Sequence, residues 1–122
     1  MGNPVVWFEV LGKDGDALRQ FYGDMFGWSF EQVEGGMDYG MVQPGETGIG
    51  GGVGTSPDGA PPYQTFYVGV DDVAAALARA ESLGGAKTVG PMDLPMGGTI
   101  GMFTDPEGHL IGLFKGPEGQ PA

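Results

Sequence analysis

Few side chains in this sequence could do chemistry, and their types limit what that chemistry is. There is one histidine, His109, and no cysteine. A disulfide framework, a thiolate zinc site, a cysteine nucleophile and any two-histidine metal motif are excluded. Carboxylates abound: 16 Asp and Glu stand against 5 Lys and Arg in 122 residues, a formal charge of −11. One of them, Glu9, lies inside an apolar run, Val5–Val10 (VVWFEV). A carboxylate there could act as a counter-ion for a cationic group or as a general base. Its bland role is a solvated strand carboxylate. Trp7, Tyr39 and Tyr67 could stack a flat or aromatic ligand, or simply pack a core. Met92 and Met96 sit in Gly90–Gly98 (GPMDLPMGG), where a polarizable, adaptable side chain suits an apolar pocket or a surface gap. His109 directly follows the glycine of Asp105-Pro106-Glu107-Gly108, a type I turn signal, so it reads as a partly exposed hairpin residue. The run 48–52 (GIGGG) lacks the Lys-Ser/Thr of a phosphate loop and opens no helix. Its glycines fit close backbone approach or strand bending.

The elements that must hold these residues can be read from the pattern. The length suits one domain, residues 1–122. The 26 Gly and 10 Pro would suit a low-complexity chain, but the 40% hydrophobic residues fall in patterned segments. The glycines lie mainly between those segments or inside short strands, which indicates an α+β domain. A strand over Val5–Val10 is followed by a turn, with Asp14 or Asp16 to cap a helix. Leu18, Phe21, Tyr22 and Met25 form that helix's apolar stripe, and Gly27 stops it. Strands are expected at Trp28–Glu34, Met37–Val42 and Gly48–Val53, with a tight turn at Gly35-Gly36. Residues 55–62 (TSPDGAPP) read as a linker.

The order of events then begins again. Tyr63–Val70 reads as a strand, and Asp71-Asp72 offers a cap. Val73, Leu77 and Ala80 mark a helix face, and Gly84-Gly85 a stop. Strands at Ala86–Val89, Thr99–Thr104 and His109–Lys115 complete the set. The sequence therefore reads as two βαβββ modules in tandem, 4–54 and 63–116, with curved mixed sheets enclosing a cleft. Val10 matches Val70, so Trp7 is equivalent to Tyr67 and Val5 to Thr65. The side-chain period of two puts Val6, Phe8 and Val10 on one face and Val5, Trp7 and Glu9 on the other. The uniformly apolar face belongs against the helix and the mixed face in the cleft. Phe66, Val68 and Val70 likewise oppose Thr65, Tyr67 and Gly69.

The runs WFEV, FYGDMFGW, DYGMV, GIGGG, YVGVDDVAAALARAESLGG, GPMDLP and DPEGHLIGLF together resemble the vicinal oxygen chelate superfamily. That superfamily includes glyoxalase I, extradiol dioxygenases, fosfomycin-modifying enzymes and bleomycin resistance proteins. The resemblance spans roughly residues 4–115. It implies metal-ligand positions near Val5 or Trp7, near Thr65 or Tyr67, and at Gly112. None of these is a histidine or a carboxylate, so neither a metal nor another cofactor is expected. The reading that follows is a glyoxalase/bleomycin-resistance-like protein. It would bind a small apolar or aromatic molecule, with a cation as a secondary preference, at Trp7, Glu9, Tyr39, Thr65, Tyr67, Met92 and Met96. The alternative is a metal-dependent lyase, isomerase or dioxygenase with non-standard ligands. The resemblance also implies a homodimer.

The acidic balance argues against nucleic acid and against anionic membranes, since both need clustered Lys and Arg. No run approaches the ~20 apolar residues that cross a bilayer. Met1–Pro4 has no basic or apolar leader character, so a cytoplasmic location is expected.

Overall fold

Two aspartates set where the helices begin. The computed structural model describes residues 2–33, 37–43, 45–57, 60–95 and 97–117. Asp14 accepts from the backbone N–H of Ala17 at 3.1 Å and caps α1 (Gly15–Phe26). Asp72 caps α2 (Val73–Ser82) through the N–H of Ala75 at 3.0 Å. Each cap satisfies a donor that the first helical turn leaves orphaned, worth ~1 kcal/mol. α1 stops at Gly27, which takes a left-handed φ of +73° and returns its N–H to the carbonyl of Gly23 at 2.8 Å.

Four strands accompany each helix. β1 (Val5–Gly12), β2 (Glu31–Gln32), β3 (Tyr39–Val42) and β4 (Gly50–Thr55) go with α1. β5 (Tyr63–Gly69), β6 (Ala86–Asp93), β7 (Thr99–Thr104) and β8 (Leu110–Lys115) go with α2. The chain divides into two compact units, residues 7–65 and residues 2–6 with 66–117. In the first unit the strand order is β2-β3-β4-β1, with β1 parallel to β4 and the other pairs antiparallel. In the second it is β6-β7-β8-β5, with β5 parallel to β8 and the other pairs antiparallel. Both halves therefore follow one βαβββ plan, an α+β fold with a mixed sheet. The registers repeat as well: Trp7 faces Gly50 across β1/β4, and Tyr67 faces Gly112 across β5/β8.

In the second unit Val70, Val73, Leu77 and Leu113 form a buried cluster, with Val68, Ala76 and Phe103 packed against it. Val68 and Val70 thus turn to α2, as strand parity requires. Gly101 makes room for this packing, since a Cβ there would lie 2.7 Å from Val73 and 3.0 Å from Leu77. In the first unit Leu11, Val42 and Val53 are buried.

Four expectations need correction. The α1 stripe is rotated: Phe21 and Met25 are 59% and 63% exposed, and the packing face runs through Gly15, Leu18, Arg19, Tyr22 and Gly23. Gly15 makes that rotation possible, because a Cβ there would sit 2.9 Å from the Gly54 backbone. β2 is only two residues long, since Trp28 and Phe30 are engaged in an aromatic cluster. Trp28 lies 5.4 Å from Phe8, 6.0 Å from Tyr22 and 6.3 Å from Phe30, centroid to centroid. β4 starts later than read, at Gly50. β6 runs on to Asp93, so Met92 is a strand residue opposite Ile100 and not part of a loop. Gly35-Gly36, Met96 and residues 58–59 of the linker lie outside the described residues. Among the described residues no helix is long and apolar enough to cross a membrane.

Leu77 is 2% exposed at the centre of its cluster. Leu77→Ala should cost about 2–5 kcal/mol through lost burial and the cavity left behind. Denaturant unfolding measures this; a loss under 1 kcal/mol would mean that α2 does not anchor its unit.

Candidate functional site

Strand parity puts Trp7 and Glu9 on the face of β1 opposite Phe8. Tyr39, at the start of β3, reaches them across β4. Its ring crosses directly over Gly52, the residue paired with Glu9; a Cβ at Gly52 would fall 2.0 Å from the ring. The indole N–H of Trp7 donates to Tyr39 Oη at 2.9 Å. Tyr39 Oη in turn donates to Glu9 Oε1 at 2.9 Å. Tyr63, at the start of β5, donates its hydroxyl to Glu9 Oε2 at 3.0 Å. Glu9 is the buried charged residue of the described chain. Both its oxygens are held by phenols, so its desolvation is offset by hydrogen bonds to the charged form. Burial first, then the charge of Glu9, pushes both phenol pKa values well above the ordinary 10.0. Tyr39 and Tyr63 therefore remain hydroxyl donors at any ordinary pH. The arrangement brings two phenols, an indole and an oriented, buried carboxylate together.

A second layer fixes Tyr39. Arg19 from α1 lies half-buried on the sheet side and donates to Val53 O at 3.0 Å, Asp16 Oδ1 at 2.5 Å and Asp38 Oδ1 at 2.5 Å. Thr55 Oγ1 donates to Asp38 Oδ2 and accepts from Gly15 N–H at 2.9 Å. The Thr55 N–H also bonds the Asp38 carbonyl at 2.9 Å. The residue before Tyr39 is thus clamped by side chain and backbone. The Thr55 hydroxyl, then Arg19, hold the Asp38 carboxyl below its ordinary 3.8.

The other residues singled out by sequence fall elsewhere. Thr65 is half-buried on β5. Tyr67 belongs to the second unit, where its buried ring covers Gly112; a Cβ there would lie 2.4 Å from the ring. Met92 is 47% exposed on β6. The His109 ring is exposed, and its Nδ1 lies 3.0 Å from Asp105 Oδ2 in the turn. That turn is the expected one, closed by Gly108 N–H on the Asp105 carbonyl at 2.9 Å. Sequence reasoning missed Tyr63. The signal was there, because Tyr63 shares the parity of Thr65 and Tyr67.

The repeat provides an internal control. With Val10 equivalent to Val70, Glu9 corresponds to Gly69 and Tyr63 to Asn3. Asn3 Nδ2 donates to the Gly69 backbone carbonyl at 3.0 Å, where Tyr63 donates to the Glu9 side chain. The register places Tyr39 opposite Gly54 and its counterpart at Gly98. The second βαβββ unit thus forms without the carboxylate or either phenol.

The positions that the family resemblance marks hold Val5 or Trp7, Thr65 or Tyr67, and Gly112. An aliphatic chain, an indole N–H and a glycine offer no donor lone pair, and the hydroxyl of Thr65 or Tyr67 adds a single neutral oxygen. Among the described residues no three His, Asp or Glu side chains converge. These residues do not fit a divalent ion at those positions.

The paired βαβββ units define a class of protein, and comparison with known proteins gives its family. The chain matches the Glyoxalase/Bleomycin resistance protein/Dioxygenase superfamily over residues 5–113 and belongs to it. It is 29% identical over 93 residues to CFP32 of Mycobacterium bovis and Mycobacterium tuberculosis, named as a glyoxylase. That match takes in 75% of this chain but 36% of the relative, so the chain spans about a third of the length of the curated relatives it matches. Among solved structures, the Bacillus halodurans protein BH1468 superposes with a TM-score of 0.72 at 12% identity, covering 100% of both chains. Methylmalonyl-CoA epimerase of Mycobacterium tuberculosis gives 0.67 at 16%, covering 92% of this chain and 87% of that one. The Streptomyces coelicolor epimerase, bound to 2-nitronate-propionyl-CoA, gives 0.66 at 19%, covering 98% of each. Such identities show the fold alone.

Two outcomes test the geometry. Tyr39→Phe removes the hydroxyl between Trp7 and Glu9 and should cost about 1–3 kcal/mol, read by denaturant unfolding. An unchanged midpoint would mean that the relay carries no stability. Asp38 contributes stability that is fully present above its ordinary 3.8 and lost as pH falls through its depressed folded value. Asp38→Asn should flatten the acid limb of stability below about pH 4. If the variant keeps the parent slope there, the acid sensitivity belongs to other carboxylates.

Proposed function

We propose that this chain binds a small organic molecule, apolar or aromatic and cationic, at Trp7, Glu9, Tyr39 and Tyr63, without a metal at the family's strand positions. The observation that carries this is the asymmetry between the two halves. A buried carboxylate is costly, and fold stability alone gives no reason to keep one. The second half reaches the same topology with Gly69, Asn3 and Gly98 at those places. Groups that the fold does not need, oriented by an elaborate second layer, are expected where function resides. Thr65 extends the same set by parity with Tyr63. The formal charge of −11 favours a cation over a polyanion. The epimerases of like fold are seen with CoA esters, whose phosphates this chain would repel.

The test is a titration of the purified protein, followed by tryptophan fluorescence and calorimetry. The probes are benzyltrimethylammonium, a neutral aromatic alcohol and acetyl-CoA. The cationic aromatic should bind most tightly, and Trp7→Ala should weaken it roughly tenfold or more while the fold survives. Preference for acetyl-CoA, or stoichiometric Zn, Ni, Mn or Fe in the purified protein, would overturn the reading.

A further inference from the structure

The rotation of α1 leaves a surface that the ligand site does not use. Ala17, Phe21 and Met25 follow one another at four-residue intervals, on nearly the opposite side of the helix from half-buried Arg19. Phe21 is 59% exposed, Met25 63% and, at the helix end, Phe26 54%. Tyr22 and Trp28 back them, with Phe21–Tyr22 centroids 5.2 Å apart and Phe26–Trp28 5.1 Å. Two open depressions of about 550 and 570 Å³ lie beside Trp28 and Phe30, next to this surface and not lined by Phe21, Met25 or Phe26. Neither is lined by Trp7, Glu9 or Tyr39. Trp28 packs on Phe8, which points away from Trp7 and Glu9, so this surface lies on the helix side of the sheet. Contiguous exposed aromatic and Met side chains of this kind mark interaction surfaces.

The electrostatics choose the partner. Asp24 borders the stripe, its two oxygens held by the Gln20 amide at 3.0 Å. The last turn of α1 has no basic residue, so the negative end of the helix dipole is uncompensated there. Exposed Glu31, in the neighbouring depression, adds negative charge beyond the helix end. The helix's one cation, Arg19, is committed to Asp16 and Asp38. A second copy of this chain would bring Asp24 against like charge. We infer that the Phe21–Met25–Phe26 surface docks an amphipathic helix of another protein, with an apolar face and flanking Lys or Arg. This is helix-on-helix recognition through anchors at four-residue spacing.

The probe is a synthetic 16-residue Leu/Lys amphipathic helix. Its controls are a scrambled peptide of equal charge and a Leu/Glu version. Titration into the full chain is followed by amide NMR shifts and calorimetry. The Leu/Lys helix should bind at least tenfold more tightly than either control, with shifts centred on residues 16–31. Phe21→Ser with Met25→Ser should weaken it at least tenfold at unchanged circular dichroism. Leu83→Ser, which alters an equally exposed leucine after α2, should leave it unchanged. If the double variant misfolds, Phe21→Lys gives the same reading by placing a like charge in the stripe. Equal binding of the scrambled peptide, or undiminished binding by the stripe variants, would overturn the inference. So would a dimer in light scattering that the stripe variants convert to monomer.

Discussion

The first unit depends on a strand with almost no side chains. β4 carries glycine at positions 50, 51 and 52, and rings occupy both of its faces. Phe8 covers Gly51, where a Cβ would lie 2.2 Å from the ring, and Tyr39 covers Gly52 from the other side. Glycine in a strand costs conformational entropy, roughly 0.5–1 kcal/mol each relative to alanine. Here the cost is offset by aromatic burial and, more importantly, by reach. β3 and β1 are not neighbours in the sheet, and β4 lies between them. Only a bare β4 lets a β3 tyrosine hydrogen-bond a β1 glutamate.

That reach explains how a carboxylate can be buried in a small acidic domain. Glu9 takes two phenol hydroxyls, and one of those phenols takes the Trp7 N–H. Each group fixes the next one's orientation, so removing any one disturbs its neighbours. In the other half the Tyr67 ring covers Gly112, its direct partner on β8, but the residues that correspond to Gly51 and Gly52 are Leu113 and Phe114. The bare strand and the polar cluster thus occur together, in the first unit. This separates what the fold requires from what has been added to it.

Much of this was legible in the sequence, and the limits have physical causes. Helix starts and stops were visible because Asp14, Asp72 and Gly27 act locally. The repeat was visible because both halves place strand, cap, helix and glycine in the same order. Strand parity correctly joined Trp7 to Glu9. It could not show that Tyr39 crosses β4, because cross-strand reach depends on register, not on spacing. GIGGG reads as a run permitting close approach, and the groups that approach are aromatic rings. The α1 stripe misleads because hydrophobicity alone does not decide which helix face is buried. An arginine with three acceptors and a glycine with no Cβ outcompeted Phe21 and Met25 for the inner face.

That competition links the two surfaces of the first unit. Arg19 must face the sheet to reach Val53 O and Asp38, and Asp38 must be held for Tyr39 to lie over Gly52. Gly15 and Gly23 allow the helix close enough for this; a Cβ on Gly23 would come within 3.2 Å of the Trp28 carbonyl. At 3.6 residues per turn, a helix turned to bury residues 15, 19 and 23 must present 17, 21 and 25 to solvent. The exposed aromatic stripe is therefore not a packing failure that a small adjustment would remove. Burying Phe21 and Met25 by rotating α1 would withdraw Arg19 from Asp38 and loosen Tyr39 above Glu9. The chain accepts an apolar outer face as the geometric consequence of an ordered inner one.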